Sequence, residues 1–200
     1  MYKNIYINIL KNKTRILLNG LKMSNFLTKY TKYNLQHQTI LDIGCGNGFI
    51  EFGLAKYCKN IVGIDPSYNM IQDAIQNLKN FPFNNIQFLQ FYIEDFINLN
   101  YKFDIIIFSY SFHLIDNNIE ILQQLKKILK PSGYIYIMEA TKTFISERFN
   151  FKSKSFNKKQ YDEKQLILKE ARFNLKKYLN KKNIIFEEIN DKIYHVLFNI

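Results

Sequence analysis

Thr39-Ile40-Leu41-Asp42-Ile43-Gly44-Cys45-Gly46-Asn47-Gly48 is the stretch whose reading decides the fold. Its first half is a short apolar run suited to a buried parallel strand. Its second half sets glycines at alternate positions just where a helical pattern begins. A strand therefore passes into a helix through a turn stripped of side-chain bulk. Glycine accepts positive φ and lets another group approach the backbone closely, and the helix N-terminus that follows offers free N–H groups. The stretch reads as the seat of a nucleotide-sized ligand.

Spacing narrows that ligand. A dinucleotide fingerprint, G-x-G-x-x-G, needs its third glycine at position 49, which is Phe49, and the chain contains no G-x-x-x-x-G-K-[ST] phosphate loop. The next apolar run, residues 60–65, ends in Asp65, about 20 residues beyond the loop, the separation at which such folds set an acid against ribose hydroxyls. The pattern keeps a ribose site and drops a pyrophosphate site.

These residues, followed by Ile64-Asp65-Pro66-Ser67-Tyr68-Asn69-Met70, resemble the S-adenosylmethionine-dependent methyltransferases of the class I, Rossmann-like type, in their type 11 subgroup. The resemblance implies one α/β domain over residues 1–200, a seven-stranded, mostly parallel sheet with helices on both faces and a C-terminal antiparallel hairpin. Residues 1–38 would form a helical cap and 39–139 the cofactor-binding core. Residues 140–200 would supply a lid segment, a last helix and the hairpin. It implies S-adenosyl-L-methionine as cofactor, with Gly44 and Gly46 along its methionine part, Asp42 behind them and Asp65 on the ribose hydroxyls. Cys45, Pro66, Ile93, Glu94 and Ser109 carry over as further cofactor contacts. Tyr92 stands where the family usually places an aspartate against the adenine amino group, so that contact is in doubt.

The sulfonium activates the methyl group, so the protein's task is to align an acceptor in line with the C–S bond. A hydroxyl, amine or acidic carbon acceptor is helped by a nearby base. The segment Tyr110-Ser111-Phe112-His113-Leu114-Ile115 follows the fourth strand, in the family's place beside the methyl group, and makes His113 the candidate base. A packed histidine supporting the pocket is the competing reading. The segment is not Asn-Pro-Pro-Tyr or Asp-Pro-Pro-Tyr, which argues against methylation of exocyclic base amino groups. His37 and His195 have no sequence neighbours that suggest a role, and no His/Cys/Asp/Glu set has metal-ligand spacing.

Composition adds bounds. At 200 residues, 47% apolar and 16% aromatic, the chain can bury one sizeable core. Its +11 charge comes mostly from lysine and is uneven: residues 1–41 carry +7, residues 142–182 carry +9, and the remainder −5. Lysine-, asparagine- and isoleucine-rich usage also follows from an A/T-rich genome. Two cysteines, Cys45 and Cys58, make no disulfide framework, which suits a reducing compartment. A cytoplasmic location is expected; an acid-free, lysine-bearing start also suits an organellar transit peptide, although arginine and serine are scarce there. No run is long and apolar enough for a membrane span.

Along the chain, residues 14–30 read as one or two amphipathic helices interrupted by Gly20, with Tyr30 and Tyr33 close enough to the first strand's expected start to reach the methyl end. A helix over 118–129 should stop at Pro131-Ser132-Gly133, before a fifth strand at 134–139. Residues 144–159 read as a loop or lid, and Asp162 with Gln165 as a capping box opening the last helix. Residues 184–189 and 193–200 are close enough to require a hairpin.

The expected partner is a small-molecule acceptor, an anionic metabolite, because both basic segments belong to the acceptor side of the family's cleft. Arg148 and Lys142 are its expected anchors, Arg148 through its planar fork. An RNA or protein methyltransferase using the basic flanks is the alternative, disfavoured by the lack of an added RNA-binding module. An inactive cofactor-binding partner subunit is the third reading.

Overall fold

The computed structural model describes residues 2–140, 158–179, 184–190 and 193–200. Lys142, Arg148 and most of the expected lid, residues 144–157, lie outside the described residues.

The strands are β1 (Thr39–Ile43), β2 (Asn60–Asp65), β3 (Ile86–Gln90), β4 (Phe103–Ser109), β5 (Leu129–Ala140), β6 (Ile184–Ile189) and β7 (Ile193–Phe198). They form one sheet in the order β3-β2-β1-β4-β5-β7-β6. The first five are parallel, whereas β7 runs antiparallel between β5 and β6. The central strands are buried on both faces, as their unbroken apolar runs require.

Alternate residues serve opposite faces. Leu41, Ile43, Ile106, Phe108, Ile135 and Ile137 pack toward α5 (Asn118–Gln124) and α6 (Lys158–Tyr178). Ile40, Ile105, Ile107, Tyr136 and Leu197 pack toward α1 (Tyr2–Thr31) and α2 (Phe49–Leu54). Two further helices, α3 (Tyr68–Leu78) and α4 (Ile93–Phe96), follow β2 and β3. The strand order reverses between β1 and β4, so the C-terminal ends of these two strands open the crevice where such sheets bind ligands.

Several local readings change. Gly20 does not interrupt the first helix: α1 is continuous from Tyr2 to Thr31. The glycine is there for contact, since a Cβ at Gly20 would lie 2.0 Å from the carbonyl oxygen of Gly53 in α2. The helix after β4 ends at Gln124 and tightens into a 3-10 turn, Leu125–Lys127. β5 begins at Leu129, opposite Phe103, and its pairing resumes at Tyr134 opposite Ile105. Lys130 to Gly133 are therefore a bulge within the strand rather than a turn before it. The bulge is tied down by Lys130 Nζ, 2.7 Å from Asp104 Oδ2, which also accepts from the Thr39 backbone N–H at 2.8 Å. The last helix starts at Lys158, so Asp162 lies inside it and cannot serve as its N-cap. Its expected stripe of Leu168, Ala171, Leu175 and Leu179 is buried.

The glycine crossing is what lets α1 lie against α2 and reach over the end of the sheet. Alanine at a helix interior is worth about 0.8–1.0 kcal/mol over glycine, yet forcing a methyl into packed backbone costs typically 1–3 kcal/mol. Gly20→Ala is accordingly expected to destabilise the protein by up to about 2 kcal/mol net in urea unfolding. A gain in stability would mean that the two helices do not cross there.

Candidate functional site

Three glycines carry the chain from β1 into α2, each with positive φ: Gly44 at 77°, Gly46 at 54° and Gly48 at 89°. Their reasons differ. A Cβ at Gly44 would meet Ser111 Cβ at 2.4 Å, and one at Gly48 would meet Phe88 and Phe52, whereas one at Gly46 meets nothing within 4 Å. Gly46 faces open space. That space is a cavity of about 380 Å³ at the C-terminal ends of the strands. Gly44, Gly46, Asp65 and Pro66 line one part of it, and Phe91, Tyr92, Ile93 and Glu94 another.

Asp65 is set by two backbone donors: Gly46 N–H reaches Oδ2 at 3.0 Å and Ser67 N–H reaches Oδ1 at 2.8 Å. A carboxylate offers about four acceptor positions, so both oxygens keep capacity for donors in the cavity. Ser67 also caps α3, its hydroxyl accepting from Met70 N–H. Ile93 is buried at the start of α4 and gives the cavity an apolar wall. Tyr92, in the position of doubt, is 63% exposed and lines the same wall, offering a ring face rather than an acceptor.

Within the segment 110–115 the sequence singles out His113, whereas the structure brings Tyr110 and Ser111 to the site. Ser111 is buried and its hydroxyl donates to the Ile43 carbonyl, which ties the end of β1 to the end of β4. Tyr110 holds φ at 59°, an uncommon conformation for a bulky residue that concentrates at functional sites. Its N–H donates to the Met138 carbonyl at 2.7 Å. It borders both the first cavity and a second one of about 460 Å³. The second cavity lies between α1, the start of α2, and the ends of β4, β5 and β7, with Met23, Phe26, Tyr136, Met138 and His195 among its walls.

Other expected site residues sit elsewhere. Cys45 is buried, its N–H donates to the Ile64 carbonyl, and its side chain lies against Gly63 rather than in the cavity. Burial and the nearby carboxylates push that thiol far up, so it is no nucleophile. Ser109 lines the second cavity, not the first. Tyr33 donates its hydroxyl to the Ser132 carbonyl, beside the β5 bulge at the far end of the sheet, and so cannot reach the crevice. Tyr30 packs on Phe26 and Phe186, with centroids 4.8 and 4.6 Å away, and supports the second cavity from behind.

His113 also departs from expectation. Its Nδ1 lies 2.8 Å from Glu139 Oε2 and its backbone N–H donates to Oε1 at 3.1 Å. The two side chains are only 5% and 1% exposed. The ring faces a separate cavity toward α6, not either of the two just described. The pair instead braces the 3-10 turn Phe112–Leu114, and the adjoining Ser111, Leu114 and Ile115 line the first cavity.

Behind the glycine turn lie two wholly buried acids, Asp42 on β1 and Glu51 on α2. No oxygen of either meets a donor at full hydrogen-bond geometry, and the group nearest to relieve each is the other. Burial pushes Asp42 up to about 7, with Glu51 as a partly offsetting partner. Burial, then the charge of Asp42, pushes Glu51 well above the usual carboxylate range. Asp42 was anticipated behind the turn; Glu51 was not, since a lone glutamate in a short amphipathic segment looks solvent-facing.

A parallel sheet with an antiparallel β7 insertion, a bare glycine turn and an acid at the end of β2 together define the class I, Rossmann-like methyltransferase fold. Solved structures share it: an S-adenosyl-L-methionine-dependent methyltransferase from Methanococcus maripaludis aligns with 98% of this chain and 90% of its own at 20% identity, TM-score 0.69. A plantazolicin methyltransferase solved with SAH aligns with 98% and 88% at 19% identity, TM-score 0.64. Residues 34–194 match the methyltransferase domain family, and the chain belongs to it. Among curated relatives, a mitochondrial ubiquinone biosynthesis O-methyltransferase of Dictyostelium discoideum is 30% identical over 122 residues, 56% of this chain and 38% of that protein. A tRNA U34 carboxymethyltransferase of Campylobacter fetus is 34% identical over 106 residues, 52% and 37% respectively. The chain thus aligns with less than half the length of either relative.

The acid pair makes stability depend on pH. Both folded-state values are raised above the ordinary 3.8 and 4.5, so the folded protein holds protons that the unfolded chain releases. Its stabilising share is present at acid pH and is lost as pH rises from about 4 through 7. Glu51→Gln removes one of the charges that would have to form. Its Tm relative to wild type is expected to climb steadily between pH 5 and 8 in thermal melts; parallel Tm curves would exclude the buried pair.

Proposed function

We propose that the chain binds S-adenosyl-L-methionine in the cavity at Gly46 and Asp65 and directs its methyl group to a small molecule in the adjoining cavity. The observation that carries this reading is the shared wall: Tyr110 borders both cavities, so a ligand in each would meet there. The open space at Gly46, the spare acceptor capacity of Asp65 and the apolar wall at Ile93 suit a nucleoside. A cationic methionine end seated before the turn would favour the ionised form of Asp42 behind it. Bound there, the cofactor would supply an electrophilic methyl on a sulfonium sulfur. The protein's own contribution is to hold the acceptor in line and to exclude water.

The second cavity supports an acceptor with a largely apolar body. Lys22 is the cation that lines it among the described residues, and it offers a counter-charge to an anionic substituent. The anionic metabolite expected from the charge distribution is thereby narrowed to a small amphipathic molecule, carrying one acidic group on an apolar frame.

Calorimetry with S-adenosylhomocysteine tests the cofactor site. Asp65→Ala is expected to weaken binding about 10- to 150-fold, the equivalent of a charge-assisted hydrogen bond of roughly 1.5–3 kcal/mol. Equal affinities would overturn the ribose assignment, and no binding by the wild type would overturn the function. Isotopically labelled cofactor incubated with fractionated cell extract is expected to label a small amphipathic species rather than RNA or protein.

A further inference from the structure

His195 has no sequence feature that singles it out, yet the hairpin places it between two polar partners at the second cavity. On β7 it stands opposite Met138 of β5 and opposite Glu188 of β6. Its Nδ1 lies 3.1 Å from the Tyr136 hydroxyl and its Nε2 lies 3.5 Å from Glu188 Oε2. Phe26 stacks on the ring at 5.7 Å and Phe186 meets it edge-on at 5.1 Å. The partners assign the tautomer: Nε2 carries the proton toward the carboxylate and Nδ1 accepts from the tyrosine. Tyr136 and His195 both line the apolar cavity that Tyr110 joins to the cofactor site.

We propose that Tyr136, His195 and Glu188 form a proton-accepting relay for the methyl acceptor, and that this acceptor is a hydroxylated aromatic compound. The inference rests on the two-cavity reading above. The aromatic and methionine walls fit a flat ring, and the Tyr136 oxygen is the basic end of the relay. The acceptor's O–H bond breaks as its oxygen takes the methyl group and the methyl's bond to sulfur breaks. The released proton passes to Tyr136 Oη while the proton of Tyr136 passes to His195 Nδ1. Positive charge thus moves from the sulfonium to an imidazolium facing the Glu188 carboxylate, and water later removes the proton.

The electrostatics are consistent with this. Burial holds the His195 imidazole below its ordinary value, so it is neutral and able to accept a proton at pH 7. Burial, then Tyr110 and Glu188, push the Tyr136 phenol up, which keeps it protonated as a shuttle. Among the described residues, the titratable or charged groups bearing on the pair are Tyr110 after β4, Glu188 on β6 and Lys22 on α1.

The test uses the full chain saturated with S-adenosylhomocysteine and para-nitrophenol, whose phenolate absorbs visible light. The wild-type complex is expected to bind the probe and to shift its ionisation down by about one pH unit. The His195 ring, followed by NMR, should gain a proton at the same time. Tyr136→Phe and His195→Gln are expected to lose the shift and, with it, the roughly tenfold preference for the phenolate over the phenol that a one-unit shift represents. Binding of S-adenosylhomocysteine, which uses the other cavity, reports that each variant is folded. An unshifted probe on the wild type, or a His195 ring that stays neutral, overturns the relay. A wild type that binds S-adenosylhomocysteine but not the probe overturns the aromatic acceptor and leaves the methyltransferase reading standing. Failure to bind S-adenosylhomocysteine overturns both.

Discussion

The close approach of the β1–α2 turn to the start of the segment after β4 is the contact on which the rest of the structure depends. Gly44 must be bare because Ser111 occupies the place of its side chain, and Ser111 in turn donates to the carbonyl of Ile43. That link fixes the two strand ends on either side of the crevice. It also sets Tyr110 in its left-handed conformation, where its ring can form a wall between two cavities. A side chain at Gly44 would separate the strand ends, and the crevice would lose both its floor and its partition.

A second contact of the same kind shapes the second cavity. The crossing of α1 and α2 at Gly20 and Gly53 brings helix backbones into van der Waals contact. Without it the aromatic face of α1 would stand away from the sheet, and Phe26 could not stack on His195. The cap is therefore an integral wall of the second cavity rather than an appendage. Its apolar side chains are supplied by distant parts of the chain: α1, the start of α2, the segment after β4, β5 and the terminal hairpin.

Buried ionisable groups in this fold are handled in two ways. Glu139 is satisfied by both the ring and the backbone of His113, and Asp104 by Lys130 and Thr39, so each acts as a clasp between segments. Asp42 and Glu51 have only one another, directly behind a turn that faces the cofactor cavity. Leaving two acids nearly unpaired is costly, and burial keeps protons on both to higher pH than on free carboxylates.

The sequence by itself determined the sheet and the glycine turn with its neighbouring Asp65, because both rest on local patterns. Unbroken apolar runs mark central strands, glycines at alternate positions mark a bare turn, and Asp65 closes the next strand at a fixed distance. These features act within some 30 residues and keep their meaning in isolation. Gly20 shows the limit: locally it reads as a helix breaker, and only its encounter with Gly53 explains it. His113 and His195 show it again. His113 lies in the right segment but turns its ring toward Glu139 and α6. His195 lies near the end of the chain and reaches the second cavity because β7 inserts beside β5, aligning it with Met138 and Glu188. Side-chain direction and strand insertion are set by packing between segments far apart in sequence, so the tertiary structure alone decided which histidine borders the site.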